Sequence, residues 1–295
     1  MAAVSGSQIM KLGRKLSSFF YKNSRELKTI WKIERDGRKG YLAGTAHFSP
    51  YRFQKSLQRL IRQAKIALFE GPLDDQSMKR VVELGSAGEG SVALYERLDS
   101  PTITQIRKCT GMISSGSNPL PLFFPLGGKE SDPLYAHFQK FQPWLAFLNL
   151  WSQFLKEKGW KYSVDLEAWE IAARMGKEIH FLETIDEQVK ALEGVPFERF
   201  VAFLKKVPRW PEYTKAYVQS YLRGALEEIM AGTSEFPTRC PSIIENRDPI
   251  FYERMKPYLE KAETVAFIGT VHIPGLKKMF LQDGYKVDQV AEIGE

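Results

Sequence analysis

Short apolar runs alternate with longer amphipathic stretches at both ends of the chain. Residues 29–34 alternate apolar and polar side chains, as a half-exposed strand does, and the dipeptide 36–37 (Asp-Gly) is a hairpin turn signal. Two further apolar runs, 41–46 and 65–70, flank a stretch with helical spacing. A helix that connects two buried strands is the βαβ pattern, so this region predicts a parallel sheet.

The alternation returns in the C-terminal half, between residues 165 and 290. Strands are predicted over 178–184, from 264 to the turn before residue 272, and over 285–290. Helices are predicted over 165–175, 196–207, 213–230, 243–261 and 274–281.

The stretch between these two regions does not show the alternation of strands and helices. A helix is predicted over 75–84, a Gly- and Pro-rich loop over 114–133, and a very apolar helix over 143–151. We therefore predict an α/β fold whose central sheet is mainly parallel or mixed and is flanked by helices. A helical insertion at about 74–160 caps this sheet.

Length and charge fit one domain with a short basic arm. The 295 residues carry a formal charge of +7 with a pI of about 9.2. We assign residues 1–26 to the arm and 27–295 to a single domain. The basic residues form no arginine-rich block, so no specific nucleic-acid binding is expected, whereas the arm allows peripheral membrane contact.

Targeting and redox signals are sparse. No apolar run approaches the roughly 18 residues of a membrane span, and no apolar segment of a signal peptide follows the basic residues near the start. Cys109 and Cys240 form no zinc-binding spacing. These features predict a cytoplasmic protein with two idle thiols.

The candidate functional residues lie in a short sequence motif that occurs twice. Of four histidines, His47 and His272 each follow a predicted strand in a Gly-Thr-x-His setting. Glu70 and Glu183 also sit at predicted strand ends. In parallel sheets the reactive groups collect at the carboxyl ends of the strands, so this set predicts a catalytic or metal site.

Other polar residues are interpreted as structural. His137 and His180 have no such setting. Asp165, Glu167 and Glu170 form an acidic helical face that is expected to be solvated.

An ordered set of motifs resembles the TraB/GumN family. This family belongs with the Tiki-type proteins and is more remotely related to ChaN-like and erythromycin-esterase-like proteins. The matching segments include 41–47 (Tyr-Leu-Ala-Gly-Thr-Ala-His), 67–70 (Ala-Leu-Phe-Glu), 165–166 (Asp-Leu), 182–184 (Leu-Glu-Thr), 245–248 (Glu-Asn-Arg-Asp), 268–272 (Ile-Gly-Thr-Val-His) and 274–275 (Pro-Gly).

The resemblance implies a metal-dependent hydrolase that acts on a peptide or protein. It implies that His47, Glu70 and His272 bind a divalent metal ion, which could be Mn, Co, Zn or Fe. Such an ion lowers the pKa of a bound water toward about 7. Arg247 would stabilise negative charge on the substrate, completing a catalytic set of His47, Glu70, Arg247 and His272.

The same residues allow other functions. Without a metal, His47 could act as a general base oriented by Glu70, as in a metal-free esterase. A non-enzymatic module that binds haem, metal or a peptide is also compatible with the ChaN-like resemblance. The sequence leaves the substrate, the metal and the oligomeric state open.

Overall fold

A computed structural model describes residues 24–86, 92–112 and 132–290, and a six-stranded sheet lies at its centre. The strand order is β4-β3-β5-β2-β1-β6, in which β2, β5, β3 and β4 pair in parallel while β1 runs antiparallel to β2 and β6. The predicted α/β class is confirmed. The strands are β1 (Ile30–Arg35), β2 (Arg38–Thr45), β3 (Ile66–Phe69), β4 (Glu178–Phe181), β5 (Thr264–Gly269) and β6 (Lys286–Gln289).

The turn between β1 and β2 folds as the sequence predicts. Asp36 and Gly37 both have positive φ, at 52° and 75°. Two such residues are what a type I′ hairpin turn requires, and its twist matches that of the flanking strands. The hairpin places β2 beside β5 in the middle of the sheet.

The helices cover both faces of the sheet. Neighbouring residues of a strand face opposite sides, so Phe69 packs with the helices α1 and α7, whereas Leu68 packs with α12 and α13. The helices are α1 (Gln54–Arg62), α2 (Asp75–Gly85), α3 (Val92–Glu96), α4 (Ser100–Cys109), α5 (Pro133–Lys140), α6 (Pro143–Glu157), α7 (Val164–Arg174), α8 (Ile185–Glu193), α9 (Phe197–Leu204), α10 (Trp210–Arg223), α11 (Leu226–Gly232), α12 (Asp248–Lys261) and α13 (Ile273–Gln282).

A separate aromatic core lies among the helices α3 to α6 and α8 to α10. The Trp151 ring packs edge-on against Trp210, Phe203 and Phe236 with centroids 5.2–5.6 Å apart. This geometry is favourable for aromatic pairs. The very apolar helix predicted at 143–151 is therefore buried as part of α6.

Two predictions fall largely outside the described residues: most of the basic arm (1–26) and nearly all of the loop at 114–133. Within the part of the chain that is described, no helix combines the length and apolar character needed to cross a membrane.

Two predicted helices are wrong at specific points. The helix expected over 213–230 is broken into α10 and α11 because Gly224 adopts a left-handed φ of 68°, which ends α10. The helix expected from residue 243 begins only at Asp248, because residues 241–247 form consecutive turns. This late start places Arg247 at the N-terminus of α12, where its side chain is available to the sheet edge.

Candidate functional site

The two Gly-Thr-x-His motifs lie side by side. They follow the neighbouring parallel strands β2 and β5, in which Thr45 pairs with Gly269. The Thr270 hydroxyl donates a hydrogen bond to the Thr45 carbonyl at 2.8 Å, which joins the motifs directly. Strand β3 is the other neighbour of β5, so Glu70 reaches the same edge.

Glu70 is held rigidly at this edge. Its Oε1 accepts a hydrogen bond from the Gly269 N–H at 2.6 Å, and its Oε2 accepts one from Arg247 Nη2 at 3.1 Å. Nε2 of His272 lies 3.8 Å from Oε1. Only 12% of the Glu70 side chain is exposed. Both carboxylate oxygens are thus fixed by partners from other elements.

The surroundings of Glu70 keep it ionised. Burial raises the pKa of its carboxyl group, but the charge of Arg247, supported by His47 and by the Gly269 N–H, outweighs that effect and lowers the pKa to about 2. Glu70 is therefore a carboxylate at neutral pH. Glu70 and His47 each affect the pKa of the other.

All five N–H bonds of the Arg247 guanidinium have acceptors within the protein. Nε and Nη2 donate to Glu183, Nη2 also donates to Glu70, and Nη1 donates to the Ile243 carbonyl and faces Nε2 of His272 at 3.3 Å. Five donors are all that a guanidinium offers. Arg247 therefore clamps Glu70 and the buried Glu183, and in this arrangement it keeps no donor for a substrate oxygen.

His272 is buried beside this clamp. Its Nδ1 lies 2.6 Å from Oδ1 of Asp248, and its ring packs edge-on against Phe251. The side chain is only 2% exposed. Both ring nitrogens of His272 thus contact protein groups.

His47 faces solvent instead. Its Nδ1 lies 3.0 Å from Oδ2 of Asp165, which is buried in the first turn of α7, while 69% of the His47 side chain is exposed. Attraction by Asp165, supported by the hydrogen bond to that carboxylate and by Glu70, raises the pKa of His47 to about 9. The site therefore presents one reachable imidazole that Asp165 orients.

The role of Asp165 corrects two sequence interpretations. Asp165 was expected on a solvated face, yet it is buried and bonded to His47. Glu70 was expected to orient His47 in the metal-free mechanism, but Asp165 takes that place. The signal in the sequence was the position of Asp165 two residues after Ser163, which caps the helix N-terminus.

Of the other polar residues considered in the sequence, Glu183 belongs to this cluster, whereas His137 and His180 do not. Glu183 is buried and accepts hydrogen bonds from Arg247. His137 bonds the Ala146 carbonyl and His180 bonds Glu178, and both contacts lie outside this cluster.

The predicted metal ligands do not form an open coordination set in this arrangement. Within the described ranges, no three His, Cys, Asp or Glu side chains are grouped to hold a metal ion. Both Glu70 oxygens accept hydrogen bonds, and the cationic Arg247 contacts Nε2 of His272. A metal ion at His47, Glu70 and His272 would require Arg247 to move, and metal binding stays a prediction.

Fold and site together define an α/β protein with a buried carboxylate–guanidinium cluster and two histidines at the carboxyl edge of its sheet. The sequence model of the TraB/PrgY/gumN family matches residues 29–289, from the edge of β1 to the end of β6, so the chain belongs to this family. The resemblance stated from the motifs is confirmed. Comparisons with curated proteins and with solved structures gave no match.

Proposed function

We propose that the chain is a hydrolase in which His47 is the general base, Asp165 orients it, and Glu70 stabilises its protonated form. The observation that carries this proposal is the pairing of a solvent-facing imidazole with a buried carboxylate at 3.0 Å. A base oriented by a second group is the arrangement that acid–base catalysis needs. This is the metal-free alternative from the sequence, with Asp165 in place of Glu70 as the orienting group.

In the proposed reaction His47 carries one proton from water to the leaving group. Water attacks the carbonyl carbon of an ester or peptide, and Nε2 of His47 takes the proton as the oxygen–carbon bond forms. The π electron pair of the carbonyl moves to its oxygen. When the intermediate collapses, the bond to the leaving group breaks and the leaving oxygen or nitrogen takes the proton from Nε2. The carboxylates of Asp165 and Glu70 stabilise the imidazolium between these two steps.

A metal-dependent hydrolase is the second candidate. What favours it is the convergence of Glu70 and His272, with 3.8 Å between Oε1 and Nε2, beside His47. Together these residues would hold an ion such as Mn, Co, Zn or Fe. The ion would supply a hydroxide nucleophile at neutral pH. Arg247 would first have to leave its contacts with Glu70 and His272.

One assay separates the two candidates. The chain is treated exhaustively with chelator and assayed with p-nitrophenyl acetate and a mixed fluorogenic peptide library, before and after addition of Mn²⁺, Co²⁺, Zn²⁺ or Fe²⁺. Above pH 9, where His47 of the native chain is mainly neutral, we expect turnover without metal that falls by about 10²-fold in His47→Ala and Asp165→Asn. His180→Ala is the matched control, since that histidine lies on the edge strand β4, where it hydrogen-bonds the surface residue Glu178 and packs against Tyr258.

Each result decides between functions. Turnover that appears only with added metal would support the metal-dependent hydrolase and contradict the metal-free one. Hydrolysis in neither condition would contradict both and leave the family's binding-module alternative. Equal losses in His180→Ala and His47→Ala would show that His47 has no special role.

A further inference from the structure

We infer that the second Gly-Thr-x-His motif serves as a positioning element, in which His272 accepts a hydrogen bond from Arg247 and thereby holds Glu70 in place. His272 then neither transfers a proton nor binds a metal ion. The inference deepens the proposed function, on which it rests for the importance of Glu70. It also assigns supporting roles to Asp248 and Gly275.

The hydrogen-bond chemistry of Arg247 fixes the state of His272. A guanidinium nitrogen carries only donors. Since Nη1 of Arg247 lies 3.3 Å from Nε2 of His272, that ring nitrogen must present a lone pair. The proton of the neutral ring then sits on Nδ1, where Oδ1 of Asp248 accepts it at 2.6 Å. Asp248 thus sets the tautomer that Arg247 requires.

The contact between Arg247 and His272 is important because every acceptor around the guanidinium is already in use. Each of its five N–H bonds is matched, and only 12% of the side chain is exposed. Removing the lone pair of His272 leaves a buried N–H without a partner, which is costly. The guanidinium is then expected to turn toward another acceptor and to loosen its grip on Glu70.

Identical motifs therefore have different uses. The His47 ring is 69% exposed and its Nδ1 contacts Asp165, whereas the His272 ring is 2% exposed and contacts protein groups at both nitrogens. Each histidine has an aspartate from the first turn of a helix, α7 or α12. What differs is the group at Nε2: solvent faces His47, and Arg247 faces His272.

Gly275 provides the space for Asp248. A Cβ atom at residue 275 would lie 1.8 Å from Oδ2 of Asp248, closer than any real contact. The carboxylate consequently reaches His272 only because residue 275 has no side chain. Gly275→Ala disturbs the Asp248–His272 contact without changing either partner chemically.

The first test reads the tautomer directly. Long-range ¹H–¹⁵N correlation spectra are recorded at neutral pH on the chain with ¹⁵N-labelled histidine rings, and His272 is assigned by its loss in His272→Gln. We expect Nδ1 protonated and Nε2 bare, unchanged when Zn²⁺ is added. A ring protonated at Nε2, or a Zn²⁺-dependent change of the Nε2 signal, overturns the inference.

This readout is independent of turnover. A chain that hydrolyses nothing but shows the Nδ1–H form contradicts the proposed function and leaves the placement of His272 standing.

The second test uses two substitutions, each of which keeps one of the two hydrogen-bonding functions of the His272 ring. In His272→Gln an amide oxygen can replace Nε2 as the acceptor, whereas in His272→Asn an amide N–H can replace Nδ1 as the donor. We expect kcat/KM for p-nitrophenyl acetate to fall about tenfold more in His272→Asn. Equal losses in the two variants contradict the inference.

A double-mutant cycle separates positioning from general structural damage. If His272 acts through Arg247, then His272→Asn costs less than about twofold in an Arg247→Lys background. In the native background, Gly275→Ala should lower kcat/KM as much as His272→Asn does. In the Arg247→Lys background, Gly275→Ala should leave kcat/KM nearly unchanged. Losses that simply multiply would show that His272 acts independently of Arg247 and would overturn the proposal.

Discussion

Nε2 of His272 lies 3.8 Å from Oε1 of Glu70, yet the hydrogen bonds of both groups run to other partners: Arg247 contacts each of them, and Gly269 holds the carboxylate. A histidine and a glutamate at this distance suggest a shared proton or a shared ion. Arg247 instead contacts both groups, so the three side chains form one buried polar cluster.

The first prediction concerns the pH dependence of hydrolysis. His47 must be neutral to accept a proton, and its pKa is raised to about 9. We therefore expect kcat/KM of chelated protein to keep rising above pH 7 and to level off only near pH 9. Asp165→Asn removes the main attraction, so the rise should shift toward the ordinary imidazole range near about 6.5. A rise at the same pH in native protein and Asp165→Asn would exclude Asp165 as the cause.

The second prediction concerns the buried clamp. Arg247→Ala leaves Glu70 and Glu183 without their cationic partner, and we expect a loss of about 3–5 kcal/mol in the free energy of unfolding. Arg97 is the matched control, because it pairs with Glu198 at the surface with 53% of its side chain exposed. Arg97→Ala should cost no more than about 1 kcal/mol. Urea unfolding monitored by tryptophan fluorescence measures both, and equal losses would contradict this account.

The third prediction concerns acid stability. The pKa of Glu70 is lowered to about 2 in the folded chain, so its ionised form stabilises the fold above the unfolded-state pKa of about 4.3. That contribution, about 3 kcal/mol at neutral pH, is lost as pH falls toward 2.

Glu70→Gln tests this by comparison with native protein in urea at pH 7, 5, 4 and 3. The native chain should be more stable at pH 7, and the gap should narrow between pH 4 and 3. Glu253→Gln is the control, since Glu253 forms an exposed surface pair with Lys256. A gap that does not depend on pH would contradict the electrostatic origin.

The fourth prediction concerns the break between α10 and α11. Gly224→Ala is expected to destabilise the chain by about 1–3 kcal/mol, because φ is 68° and a Cβ would lie 2.7 Å from the Lys28 carbonyl oxygen. Gly232→Ala serves as its control: that residue ends α11 with open space around it. It should be neutral or stabilising by up to about 1 kcal/mol. Thermal melts of both variants provide the comparison.

The sheet could be predicted from local pattern because each strand is short, apolar and bounded by turn signals. Strand ends in a parallel sheet share one edge, so the placement of Glu70 and the two histidine motifs at that edge followed from the sequence. The breaks at Gly224 and before Asp248 were missed because helical periodicity continues across them.

The partners of the histidines were harder to predict. Asp165 is 118 positions from His47, and its neighbours Glu167 and Glu170 make the helix look like a solvated face. What buries Asp165 is the docking of α7 on the loop after β2, where the Val164 N–H bonds the Ala46 carbonyl. The saturation of Arg247 likewise depends on five contacts from four separate segments, which no local pattern encodes.

The hydrogen bond from residue 269 to Glu70 is donated by the main-chain N–H. A peptide N–H survives every substitution except proline, so the position of Oε1 is insulated from changes in most neighbouring side chains. Residue 269 itself has little freedom, because a Cβ there would lie 2.9 Å from Oε1. An engineer could therefore recruit new side chains around His47 to alter substrate preference while this anchor stays where the backbone puts it.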